Sequence, residues 1–163
     1  MWQPMGRRMR VAPFALLLSL FAAPLAAREA VGTFATWAAF CDEPRKCFAI
    51  SEPVERRGGP YLTIAILGSS LRVAVHLGRP SRAATIAVGE AHFDLDVSGE
   101  DAVAGPRTSR RIVAAMRAGE ALTVIGTSAR GGRFRHHYML AGAPSAIDAA
   151  AVAAVAAVAA LQR

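Results

Sequence analysis

The residues of this chain with the means for chemistry are few: Cys41 and Cys47, the carboxylates Asp94 and Asp96 beside His92, and the serine pair Ser69-Ser70. The two cysteines are the only ones present and sit in "FCDEPRKCFAI" with two acids and two bases between them. Such a pair can clip a metal, exchange electrons or staple the backbone. A zinc site needs two further Cys or His ligands at defined spacing. His76 and His92 stand alone, and His136-His137 are adjacent, so a strand sends them to opposite faces. Thioredoxin-type redox pairs are separated by two residues, and these by five. Asp94 and Asp96 alternate with apolar residues in "AHFDLDV" and share one strand face with His92. Paired carboxylates are the material of acid–base or metal chemistry, but no partner motif accompanies them, and the three are read as a polar surface site. No G-x-S-x-G elbow, H-E-x-x-H helix or P-loop is present to give Ser69 or Ser70 a catalytic setting. The expectation is therefore no catalytic residue, no metal ligand and no cofactor.

The N-terminus decides the cysteine question. Arg7, Arg8 and Arg10 precede the apolar run "VAPFALLLSLFAAPLAA", which turns polar at Arg28 and Glu29. This is the layout of a Sec-type signal peptide. Its apolar core falls short of the roughly 20 residues of a permanent span, and the alternative is an uncleaved anchor. Cleavage is expected after Ala27, where Leu25 and Ala27 suit the peptidase, and no cysteine stands there to take a lipid. Residues 1–27 are thus assigned to the signal peptide, 28–143 to one folded domain and 144–163 to a C-terminal helix packed on it. Export leads to an oxidising compartment, where disulfides form and persist. A structural Cys41–Cys47 disulfide is expected.

Loss of residues 1–27 removes three arginines and no acid, so the net charge falls from +7 to +4. The remaining 136 residues suffice for one core and not for two ordinary domains. A nucleic-acid binder concentrates a larger basic excess on one face, whereas these arginines fall in short groups: Arg56-Arg57, Arg110-Arg111 and Arg130, Arg133 and Arg135. They read as a solvated surface, with contact to anionic lipid or polysaccharide as the alternative.

The elements that carry these residues are mostly strands. "VGTFATWAAFC" is rich in aromatic and β-branched residues and reads as a first strand. "CFAIS" resumes after Pro44, so the cysteines pin a hairpin with Asp42, Glu43, Arg45 and Lys46 in its exposed turn. "RRGGP" is a turn, followed by the strands "YLTIAIL" and "LRVAVHL" about the break "GSS". In the latter, Leu71, Val73, Val75 and Leu77 alternate with Arg72, Ala74 and His76, one face buried and one wet. "ATIAV" and "AHFDLDV" flank Gly89-Glu90 as a tight hairpin, with Phe93, Leu95 and Val97 inward and His92, Asp94 and Asp96 outward. A last hairpin joins "EALTVIGTS" to "RFRHHYML" and turns His136 inward beside Phe134, Tyr138 and Leu140.

Two segments change period. "GPRTSRRIVAAMRAG" fits a short helix with Thr108 or Ser109 as N-cap, Ile112, Val113 and Met116 on one side, and Gly119 at C′. "PSAIDAAAVAAVAAVAALQR" is an Ala-rich helix. Ser145 with Asp148 resembles a capping box, and Ile147, Val155, Val158 and Leu161 form the stripe expected to dock. It is too short and weakly apolar to span a membrane, so the mature chain has no transmembrane segment.

Taken in order, "FATWAAFCDEPRKCFAI", "IVAAMRAGEALTVIGTSARGG" and "YMLAGAPSAIDAAAVAA" resemble the invasion-associated locus B family of exported Gram-negative bacterial proteins. In that family a glycine-hydrophobic step leads into a terminal helix; here Gly142-Ala143-Pro144-Ser145 stands at the step without the usual aromatic. The resemblance implies an antiparallel β-sandwich, in the periplasm or at the outer surface, without recognised enzymatic activity. The chain is therefore expected to be a mostly β protein with one short internal helix and a C-terminal Ala-rich helix. Its function is expected to be that of an exported, non-enzymatic binding or interaction module, periplasmic, or else surface-bound or secreted. Its partner would be an envelope protein, lipid or glycan. The alternatives are a host-facing invasion or adhesion factor, and a hydrolase using His92, Asp94 and Asp96 or Ser69-Ser70.

Overall fold

The computed structural model describes residues 29–43, 46–55 and 59–161; the expected signal peptide lies outside them. Ten strands form one antiparallel sheet: β1 (Glu29–Phe34), β2 (Trp37–Glu43), β3 (Lys46–Ser51), β4 (Tyr61–Leu67), β5 (Ser70–His76), β6 (Ser81–Val88), β7 (Ala91–Ser98), β8 (Asp101–Val103), β9 (Ala121–Ser128) and β10 (Arg133–Met139). Helix α1 (Pro106–Ala118) follows β8, and helix α2 (Ala143–Leu161) follows β10. The strand order is β1-β2-β3-β4-β5-β8-β7-β6-β9-β10. The sheet is open, and its two halves form the sandwich expected of the chain.

Strand β7 joins the halves. Its Ala91–Leu95 stretch pairs with β6, and its Asp96–Ser98 stretch pairs with the three residues of β8, which pair in turn with β5. β8 was not foreseen, because three residues are too few to show alternation. The alternation expected elsewhere holds: Leu62, Ile64, Ile66, Val73, Val75, Ile86, Phe93 and Leu95 all turn into one core with Trp37, Ile112, Met116, Leu122, Val124 and Tyr138. Helix α2 covers β1 to β4, and α1 lies against β5, β6 and β7.

Several expectations need correction. The first strand is two strands, folded back at Ala35-Thr36 so that Phe34 pairs with Trp37. Ala35 takes φ 51°, a conformation that costs an L-residue roughly 1 kcal/mol, and no turn residue in "TFATWA" announces it. Neither Thr108 nor Ser109 caps α1: the helix starts at Pro106 after Gly105. Ser109 is buried one turn in, where its hydroxyl donates to the Ala104 carbonyl and accepts the Val73 N–H, tying α1 to β5. Gly119 ends the helix in extended rather than left-handed backbone. Of the stripe expected on α2, Ile147 is buried, Val155 is exposed, and the side chains of Val158 and Leu161 lie outside the described residues; the rest of the docked face is Ala143, Ala146, Ala150 and Ala154. Small side chains let the helix backbone approach the sheet, and that proximity outweighs the greater hydrophobicity of valine. Ser145 and Asp148 form no capping box, since the helix begins at Ala143 and Asp148 pairs with Arg117 of α1.

Candidate interaction site

The two terminal strands of the sheet approach one another at a corner built by Trp37. Its side chain is fully buried, and its indole N–H donates to the Met139 carbonyl at the end of β10, 2.8 Å away. Thr36 Oγ1 donates to the same carbonyl at 3.3 Å. Ser51, buried at the end of β3, donates its hydroxyl to the Thr36 carbonyl at 2.9 Å. The chain after β3 then crosses to β10, where Val54 N–H donates to the His137 carbonyl at 2.8 Å and His137 N–H donates to Glu55 at 3.2 Å. These bonds occupy backbone groups along the outer edge of β10, which would otherwise invite pairing with another chain.

The corner encloses a groove of about 610 Å³ lined by Thr33, Trp37, Ala38, Ile50, Pro53, Val54 and Met139, with Thr36, Ser51 and Glu52 alongside. Val54 and Met139 are 63% and 44% exposed. Because both line the same groove, they form a shared apolar surface rather than scattered single residues, and shared apolar surface is what marks an interaction site. Ser51 is spent on the backbone, and the charged group at the rim among the described residues is the exposed Glu52 carboxylate. The groove flanks β1, which pairs only with β2 among the described strands. An apolar trough with one carboxylate beside an open strand edge suits an extended peptide segment with apolar and cationic side chains.

The charges behind the groove are ordered. Glu55 also lies 3.6 Å from His137 Nε2, and His137 Nδ1 meets Thr123 Oγ1 at 2.9 Å. Slight burial pushes the Glu55 carboxyl up, but the His137 N–H and the neighbouring imidazoles outweigh it and hold Glu55 below its ordinary value. Tyr138 turns inward; burial, reinforced by Glu55 and Glu52, pushes its hydroxyl well above the ordinary phenol. Among the described residues that hydroxyl has no hydrogen-bond partner.

The residues singled out from the sequence lie elsewhere. Cys41 and Cys47 face each other across β2 and β3 and form the expected disulfide, with Cα atoms 4.0 Å apart. His92, Asp94 and Asp96 are exposed together on the outward face of β7, where Asp94 accepts the Thr85 hydroxyl at 2.9 Å. Among the described residues no three His, Cys, Asp or Glu are grouped so as to hold a metal. Ser69 and Ser70 stand on the β4–β5 turn in the other half of the sheet, and Ser70 is bonded to the Leu67 carbonyl. His76, expected on a wet face, stacks on Tyr61 and lies 2.9 Å from Asp101 and 3.5 Å from Glu100. His136 is buried against Phe134, as its inward register required. The groove was missed because its residues come from three separate stretches of the chain; the only sequence signal was the large apolar Met139 on the otherwise charged face of β10.

No family model matches this sequence, and no curated protein does. Among solved structures, the chain is similar to the crystal structure of invasion associated protein B from Bartonella henselae, with 17% identity, 81% of this chain and 98% of that chain covered, and a TM-score of 0.58. At that identity the likeness is one of architecture: the chain has the fold of invasion associated protein B, as its sequence resemblance implied.

Proposed function

We propose that the chain is an exported, non-enzymatic interaction module of the bacterial envelope, of the invasion-associated locus B type, and that the Trp37 groove receives an extended segment of a partner envelope protein. The groove carries this reading: its apolar lining, its Glu52 rim and the adjoining open edge of β1 provide three complementary ways to hold a peptide. The likeness of fold to an invasion-associated protein and the Cys41–Cys47 disulfide support export. Among the described residues no helix is long and apolar enough to cross a membrane.

Cell fractionation coupled to site-specific crosslinking tests this. A photo-crosslinking residue at Val54 is expected to yield discrete protein adducts in the periplasmic or envelope fraction. The same label at exposed Ala114 on α1 is expected to give none of them. Identical adducts from both positions, or protein recovered only from the cytoplasm, would refute the proposal.

A further inference from the structure

The fold gathers arginines that the sequence scatters. Arg79 lies in the β5–β6 connection, Arg82 at the start of β6, Arg130 in the β9–β10 turn, and Arg133 and Arg135 on β10. Ala129 N–H donates to the Pro80 carbonyl at 2.8 Å, and Ser81 pairs with Ser128, so the connection and the turn are locked side by side. A side chain at Gly131 would sit 3.5 Å from the Arg82 guanidinium. Arg79 and Arg130 share a depression of about 390 Å³, and Arg133 and Arg135 flank Phe134 in a second of about 260 Å³. Arg79 joins the two, its guanidinium 5.1 Å from the centre of the Phe134 ring.

None of these five arginines has a carboxylate partner among the described residues, whereas Arg117 is paired with Asp148. The one acid lining the first depression, Glu100, lies 3.5 Å from His76. With Glu100 the one carboxylate beside them, these five charges exceed the net +4 of residues 28–163 and leave the rest of the mature chain one unit negative. Clustered like charges repel each other and destabilise the compact state, so their persistence at one end favours an anionic counterpart. Guanidinium groups match phosphate oxygens in bidentate geometry. The depressions are shallow and the arginines are spread across one end of the sandwich, an arrangement suited to an array of phosphates rather than a single ion. We propose that this arginine end is a docking surface for the phosphate headgroups of an anionic lipid bilayer. It is separate from the Trp37 groove, and either site can fail without the other.

Cosedimentation of the disulfide-bonded mature protein with vesicles tests the proposal. Binding to phosphatidylcholine vesicles rich in phosphatidylglycerol is expected, with none to pure phosphatidylcholine and with loss as salt is raised. Each arginine near an anionic surface changes partitioning by roughly fivefold, so the double variant R130Q/R133Q is expected to bind about 25-fold more weakly. R107Q/R110Q on α1 removes the same charge and is expected to bind as the parent does. Equal losses in the two double variants would overturn the proposal, because net charge alone would then account for binding. So would equal binding to neutral vesicles, or binding to an acidic polysaccharide such as heparin without binding to vesicles.

Discussion

At Gly142 a single hydrogen atom separates a fitting residue from a clash. The residue has φ +88°, and a Cβ there would lie 2.0 Å from the Phe34 carbonyl oxygen, in the turn that splits the first two strands. Backbone cannot move aside as a flexible side chain can, so Gly142→Ala is expected to cost roughly 2 kcal/mol or more. Ser145→Ala, three residues on, is expected to change stability by less than about 0.5 kcal/mol, and urea unfolding measures both. The glycine was legible as a step into the last helix, but its reason was not, since that lies 108 residues upstream in the Phe34 backbone. Gly126 follows the same logic: it sits opposite Phe134 on β10, whose ring takes the space a Cβ would need. The buried Tyr138 hydroxyl makes a second prediction. Its pKa is raised, so the proton is held more tightly in the folded state, and the stability linked to it is complete below the unfolded value near ~10 and declines as pH rises above that. Tyr138→Phe removes a buried donor without a partner. It is expected to leave stability at neutral pH unchanged or raise it by up to about 1 kcal/mol, and to flatten the alkaline decline. A marked loss of stability in Tyr138→Phe would show that the hydroxyl has a partner after all.

Among the elements, α2 shows where pattern reading fails. Of the stripe expected to dock, Ile147 does, yet Val155 is 68% exposed while Ala146 and Ala150 are fully buried. Hydropathy ranks valine above alanine, but a helix lying close on a sheet selects by volume, and neighbouring strand contacts are absent from a single-segment pattern. Ala150→Leu is therefore expected to destabilise by about 1–3 kcal/mol through overpacking. Val152→Ala and Val155→Ala are expected to stay within about 0.5 kcal/mol in thermal or urea unfolding. The strands were legible for the complementary reason: alternation depends only on near neighbours, and β3 to β7 follow it almost residue for residue. The link between the helices adds a pH dependence. The hydrogen bond from Arg117 holds the Asp148 carboxyl below its ordinary value against the small upward push of burial. Its contribution is present above the unfolded value near ~4 and is lost as pH falls through the lower folded one. Both partners are largely exposed, so the effect is expected below about 1 kcal/mol, and Asp148→Asn should remove that part of the acid sensitivity.

For the molecule as a whole, the Cys41–Cys47 disulfide is a contributor to stability rather than its foundation. A loop this short is expected to lose roughly 2–2.5 kcal/mol when both cysteines become alanine, leaving a folded but weaker protein. The core explains why, since one continuous apolar cluster spans both halves of the sheet and both helices. Fold class was readable because strand alternation, two helical segments and a cysteine pair all pointed the same way. The groove and the arginine end were not, because each is assembled from turns distant in sequence and brought together only by sheet topology. Both proposed roles require the chain to leave the cytoplasm and fold as an oxidised module. Intact mass measurement of the natively produced protein, without reduction and after alkylation, tests this requirement most directly. A chain starting at Arg28, short by two hydrogens and carrying no alkyl group, is expected. A full-length chain with two alkylated cysteines would contradict it.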